Sequence, residues 1–216
     1  GRKVIVESSC YQSRPFVVSA DWSAASYWYE MAALSEECEI RLHGLSKSSV
    51  QGDSLIQDWM NLFGVVTIEE ENLMVLRKEH FERRPMAFDF SSTPDLFPTM
   101  AATCAGLQVE AKFTNVANLG IKESDRIETM KTELSKIGVE LDRVSMNEVV
   151  LKPASQLPHF ESSSPLRLNA HGDHRIVMAL APLSLKLGYL AFDHPEVVGK
   201  SYPNYWKEVR FLKLLP

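Results

Sequence analysis

Four cations in this chain sit where helix stability alone would not put them. A helix amino terminus carries roughly half a positive charge, so its first turn favours Asp or Glu over Lys or Arg. Yet Lys122 and Arg126 bracket the start of NLGIKESDRIETM, Arg175 follows GDH in HGDHRIVMAL, and Lys200 directly precedes SYPNYW. Ser124 and Asp173 are the expected caps of the first two helices. Free amide donors, the helix dipole and a side-chain cation all favour an anion, so such starts suit phosphate or carboxylate groups. Acid and base candidates occupy the same stretches: Asp95 after Thr93-Pro94, Glu123 beside Lys122, and His174 beside Arg175. A competing reading has each cation merely neutralise a neighbour, Glu123 or Asp125 for Arg126 and Asp173 for Arg175. It explains any one helix start as well as ligand binding does, and all three together less well.

Other chemistries find little support. His171, Asp173 and His174 match no zinc spacing, and no metal site is expected. Asp21, Ser23, Ser26 and Tyr27 open a helix where hydroxyls suit a polyol or phosphate, although capping accounts equally for Asp21 or Ser23. No glycine-rich phosphate loop occurs, which argues against nucleoside-triphosphate and dinucleotide enzymes. A formal charge of -5 argues against a general nucleic-acid binder, and clusters such as Arg83-Arg84 read as solvated loop charge.

The elements that must position these residues recur. The first unit reads as strand Phe16 to Ser19, helix from about Ser23 to Leu34, strand Glu39 to Leu45, helix from about Ser54 to Phe63, and the hairpin VVTIEEENLMVLRK. The second repeats it with strand Ala87 to Phe90, a helix from about Pro94 to Leu107, strand Val109 to Thr114, a helix from about Asp125 to Ile137, and the pair VELDRV and EVVLKPA. The third runs through LRLNA, helix HRIVMALAPLSLKLG, strand YLAFDH and helix YPNYWKEVRFLKLL, without a closing hairpin.

SAASYWYEMAAL, DLFPTMAATCAGL and RIVMALAPLSLKL are small or apolar on nearly every face, as in helices buried on all sides. By contrast Ile127, Met130, Leu134 and Ile137 form one stripe, opposed by Glu128, Lys131, Glu133 and Lys136 as a wet face. The expected class is therefore α/β (α+β): repeated βαβαββ units whose sheets pack around buried helices. Gly64, Gly138 and Gly188 each follow a helix, where a left-handed stop is needed.

With 216 residues, 45% of them hydrophobic, the chain can bury a sizeable core. Its three cysteines, Cys10, Cys38 and Cys104, are odd in number and in no metal or redox spacing, which suits reduced thiols in a cytoplasm. The longest apolar stretch, Ile176 to Leu185, is too short to cross a bilayer. The chain does not begin with Met, and a piece of something longer is expected.

DWSAASY, TPDLFPTMAA, NLGIKESDRIETMKTELSKIG, GDHRIVMALA and GKSYPNYW occur in the order seen in 5-enolpyruvylshikimate-3-phosphate synthases, and from Phe16 onward the chain resembles their carboxy-terminal half. The resemblance implies an enolpyruvyl transferase-like fold and transfer of the enolpyruvyl group of phosphoenolpyruvate to the 5-hydroxyl of shikimate 3-phosphate, releasing phosphate. It implies no metal or organic cofactor; the net charge and the short apolar stretches lead to no expected nucleic-acid or membrane partner. It places residues 1–67 as the last unit of one domain and 68–216 as most of the second. The missing amino-terminal half would be the partner that supplies the rest of the cleft, so the chain is expected to be inactive alone.

By the same comparison Asp95 resembles the base that takes the proton from the attacking hydroxyl, Asn118 and Lys122 resemble shikimate 3-phosphate contacts, and Tyr27 a cleft tyrosine. Arg126, Arg175 and Lys200 resemble the phosphoenolpyruvate clamp. Glu123 and His174 fall near the developing tetrahedral centre, with Glu123 the candidate proton donor to the methylene carbon. Ala24 departs from the pattern, standing where a second serine is usual. Two rival functions are an enolpyruvyl transferase acting on UDP-N-acetylglucosamine and a non-catalytic anion-binding domain of the same fold.

Overall fold

The computed structural model describes residues 3–71 and 73–215. Its strands are β1 (Glu39–His43), β2 (Val65–Glu70), β3 (Leu73–Lys78), β4 (Met86–Asp89), β5 (Ala111–Thr114), β6 (Glu140–Ser145), β7 (Glu148–Lys152), β8 (Leu166–Asn169), β9 (Leu190–Asp193) and β10 (Leu214–Leu215). The helices are α1 (Trp22–Leu34), α2 (Ile56–Asn61), α3 (Phe97–Leu107), α4 (Arg126–Ser135), α5 (His174–Leu180), α6 (Ser184–Leu187) and α7 (Tyr205–Glu208). Among the described residues the strands form three sheets, ordered β1-β3-β2, β4-β5-β7-β6 and β10-β9-β8. Parallel β4 and β5 followed by the antiparallel pair β6 and β7 give the second unit the full βαβαββ pattern.

Buried helices fill the space between the sheets. All of α3 is buried, and nearly all of α1 and α5. Gly106 of α3 shows how closely they approach: a Cβ there would stand 2.6 Å from Leu34 Cδ2 of α1 and 2.9 Å from Leu183 Cδ2. Gly64 ends the segment after α2 at φ +77°, a conformation side chains resist, and its missing Cβ leaves room for Glu79 O. One cluster of buried apolar residues runs through all three units, and the division expected near Thr67 falls inside β2.

Several elements differ from expectation. Phe16 to Ser19 forms no strand, and Phe16, Val17 and Val18 are 86%, 90% and 82% exposed. A strand requires a ladder, and here only one rung is made: Ala20 N donates to Gly44 O, just as Phe90 N donates to Thr114 O beside the paired β4 and β5. A groove of about 830 Å³ lies along this open edge, lined by Trp28, Leu42, His43 and Arg210 among others. The helix expected over HRIVMALAPLSLKLG is broken into α5 and α6 by the 3-10 turn Ala181–Leu183, because Pro182 has no N–H to donate. The last segment holds only the short α7 and then β10, which pairs in parallel with β9.

Helix α4 buries Ile127, Met130 and Leu134 as expected, and Glu128 and Lys131 face water. Glu133 does not: it is 1% exposed and bonded to His171, Asn169 and Lys136. Its cap is Asp125 rather than Ser124, whose hydroxyl is turned towards Asp173. No helix among the described residues is long and apolar enough to cross a membrane.

Candidate active site

Arg126 is the first residue of α4 and is 1% exposed, a position a guanidinium can hold only if its donors are matched. Three carboxylates from three elements match them. Nε donates to Asp173 Oδ2 at 2.9 Å, Nη1 to Asp95 Oδ1 at 2.6 Å, and Nη2 to Glu123 Oε2 at 2.9 Å. Asp173 is fully buried, caps α5 by accepting from Arg175 N, and accepts from Ser124 Oγ. Asp95 lies on the 3-10 turn Pro94–Leu96 that leads into α3, so Arg126 ties α3, α4 and α5 together at their amino ends.

The remaining cations surround this hub. Lys122 Nζ is 3.3 Å from Asp95 Oδ1, Arg175 Nη2 is 3.3 Å from Asp95 Oδ2, and Lys200 Nζ is 3.1 Å from Glu123 Oε1. Lys122, Arg126, Arg175 and Lys200 therefore stand at one place, with Asp95 and Glu123 among them. Lys200 arrives there from the end of the 3-10 turn Pro195–Lys200, not from a helix start, which corrects its expected position. Each cation also has a carboxylate partner, but not always the neighbour expected: Arg126 takes Glu123, whereas Arg175 takes Asp95 because Asp173 is held by Arg126. An incoming anion must compete with these carboxylates, and it can do so at partly exposed Lys122, Arg175 and Lys200 more readily than at buried Arg126.

The surroundings set the protonation states. Burial would raise the Asp95 carboxyl, but Arg175, Arg126 and Lys122 outweigh it and hold the group below the usual range. Glu123 is drawn down to about 2, by its own backbone N–H first and then by Lys200 and Arg126. Burial pushes His174 down, favouring the neutral ring, and its Nδ1 has no hydrogen-bond partner. Burial lifts the Tyr27 phenol well above its ordinary value, against the influence of adjacent Arg175. A narrow pocket between α1 and the segment after Lys200 is lined by Ser23, Ala24, Tyr27, Arg175, Ser201 and Tyr202.

Asn118 stands exposed on the 3-10 turn Ala117–Ile121 that leads to Lys122, outside this network of contacts. Asp53 was not singled out by the sequence. It accepts a hydrogen bond from Ser23 Oγ, burial raises its carboxyl, and it lies within the influence of Asp95 and Arg175. Nothing in SVQGDS marked it, since a loop Asp carries no periodic signal. Asp173 was visible as a cap, but its pairing with Arg126 crosses between units and was not. Among the described residues no group of His, Cys, Asp or Glu is arranged to hold a metal ion.

Residues 3–209 match the family model of EPSP synthase (3-phosphoshikimate 1-carboxyvinyltransferase). The chain belongs to this family. A 3-phosphoshikimate 1-carboxyvinyltransferase of Bacteroides fragilis (strain YCH46) is 39% identical over 209 residues, which is 97% of this chain and 50% of that protein. The chain spans about half the length of the curated relatives it matches. Its fold is that of EPSP synthase from Acinetobacter baumannii, with TM-score 0.70 at 18% identity over 91% of this chain and 46% of the other. The enolpyruvyl transferase NikO from Streptomyces tendae is also similar, with TM-score 0.64 at 14% identity over 90% of this chain and 43% of the other.

Proposed function

We propose that this chain is the carboxy-terminal part of an enzyme that transfers the enolpyruvyl group of phosphoenolpyruvate to the 5-hydroxyl of shikimate 3-phosphate. The reaction releases phosphate and serves aromatic amino-acid biosynthesis in the cytoplasm. The observation that carries this reading is the gathering of Lys122, Arg126, Arg175 and Lys200 around Asp95 and Glu123, in a chain of this family. We take its three units as one domain, on the strength of their shared core, and the remaining half of the enzyme as the other wall of the cleft.

Both substrates are small polyanions. When their phosphates and carboxylates approach, Arg175, Lys122 and Lys200 exchange carboxylate partners for substrate, at little cost in reorganisation because the start of α5 and the ends of two 3-10 turns already hold them in place. That exchange strips Asp95 of Lys122 and Arg175, two of the three cations that depress it, so its basicity rises once substrate is bound and it takes the proton from the attacking hydroxyl. Glu123, relieved of Lys200 in the same way, becomes able to carry a proton to the methylene carbon. His174, neutral and with an unpartnered Nδ1, supplies a hydrogen-bonding group beside them. Tyr27 and Asn118 complete the shikimate side. In the pocket where Ala24 lacks a hydroxyl, Ser201 offers its own to the shikimate phosphate, and Ser23 does so by giving up its hydrogen bond to Asp53.

The test uses the full-length protein that carries this chain. Phosphate release from phosphoenolpyruvate should require shikimate 3-phosphate, and Asp95→Asn should reduce it by at least about a hundredfold. Stabilisation against heat by UDP-N-acetylglucosamine instead of shikimate 3-phosphate would transfer the assignment to the other acceptor.

A further inference from the structure

Glu133 is the buried acid of α4 that the proposed mechanism does not use. It stands one heptad after Arg126 and therefore on the same helix face. Its carboxylate accepts from His171 Nε2 at 2.8 Å, from Asn169 N at 3.0 Å and from Lys136 Nζ at 2.7 Å. Two of those donors come from the last residue of β8 and from the link between β8 and α5. That link is sharply bent: His171 and Gly172 have φ of 51° and 69°, His171 N donates to Asn169 Oδ1, and Asp173 N donates to Ala170 O. A histidine in the left-handed region needs surroundings that hold it there. Glu133 provides them at one end of the link, and the Arg126–Asp173 pair fixes the other. The link ends at Asp173, His174 and Arg175.

We propose that Glu133 is a positioning residue of the active site. Through His171 and the backbone of Asn169 it holds the bend before α5, so that Asp173 meets Arg126 and Arg175 meets Asp95. Its link to turnover rests on the functional reading above; its effect on the geometry of the bend does not.

Glu133→Gln and His171→Asn in the full-length protein test this with two readouts. Asn tolerates the left-handed backbone at position 171 and removes only the imidazole contact. Glu133→Gln should shift the side-chain NMR signals of Arg126 Nε–H and of the His174 ring, and lower kcat/KM for phosphoenolpyruvate about tenfold or more. His171→Asn should move the same signals in the same direction by less. Unchanged signals and unchanged turnover in a folded Glu133→Gln protein, whatever its melting temperature, would overturn the proposal. If Glu133→Gln does not fold, the same result with His171→Asn would overturn it. A wild-type protein without turnover would remove the functional reading, while the NMR signals would still decide whether Glu133 sets the bend.

Discussion

Replacing Arg126 by Met keeps much of the side-chain volume and removes the charge that joins three helices. The structure shows where the loss would fall. Asp95 would keep Lys122 and Arg175, and Glu123 would keep Lys200, and both are partly open to water. Asp173 is fully buried and would retain only Ser124 Oγ and Arg175 N as donors. Removing one partner of a buried, hydrogen-bonded ion pair costs about 3 to 5 kcal/mol. With two donors left to Asp173, the lower end applies, about 3 kcal/mol. Urea unfolding of the chain should show this as a lower midpoint with an unchanged slope. Arg126→Met combined with Asp173→Asn should recover part of the loss, since a neutral amide keeps the cap acceptor without a buried charge. A loss below about 1 kcal/mol for Arg126→Met, the range of exposed pairs, would refute the idea that this guanidinium holds the site together.

Three further outcomes follow from the same structure. Glu30 is buried with both carboxylate oxygens unpartnered, and burial raises its carboxyl well above the ordinary 4.5. The folded state therefore keeps a proton that the unfolded chain has lost, and stability falls as pH rises above that value, by about 1.4 kcal/mol per pH unit until the folded group ionises. Melting curves of Glu30→Gln and the unaltered chain should coincide near pH 4 and separate in favour of Gln towards pH 8. Glu123 and Asp95 have the opposite sign. Their folded carboxyls are depressed, so their contribution is present above the unfolded values and is lost on acidification, for Glu123 between about pH 4.5 and 2; Glu123→Gln should flatten the melting-temperature profile across that window. Ala24→Ser restores a hydroxyl in the pocket with Ser23, Tyr27 and Arg175, and should tighten shikimate 3-phosphate binding to the full-length protein by about fivefold in calorimetric titration, as one added hydrogen bond does.

Much of the fold is legible in local pattern. The apolar faces of α1, α3 and α5, the stripe on α4 and the β2–β3 hairpin all reflect periodicity that a sequence carries by itself. What a sequence does not carry is which partner a polar side chain finds. Glu133 looks like part of a wet helix face until the β8–α5 link folds over it, and Ser124 looks like a cap until Asp173 attracts its hydroxyl. Phe16 to Ser19 has the aromatic and β-branched composition of a strand, but its pairing depends on the long-range edge of β1 and not on local propensity. The proposed anion site was legible because cations such as Arg126 and Arg175 at helix starts contradict the dipole rule, and it is at such contradictions that sequence points to function. Its internal pairing, above all Arg126 with Asp95 and Asp173, joins residues far apart in the chain.

The central claim is that Lys122, Arg175 and Lys200 exchange their carboxylate partners for substrate anions while buried Arg126 stays in place. The guanidinium NMR signals of the full-length protein, followed as shikimate 3-phosphate and phosphoenolpyruvate are added, test it most directly. Arg175 should move with saturation and Arg126 should keep the signal of its bond to Asp173. Saturating substrate that leaves Arg175 unmoved would contradict the account.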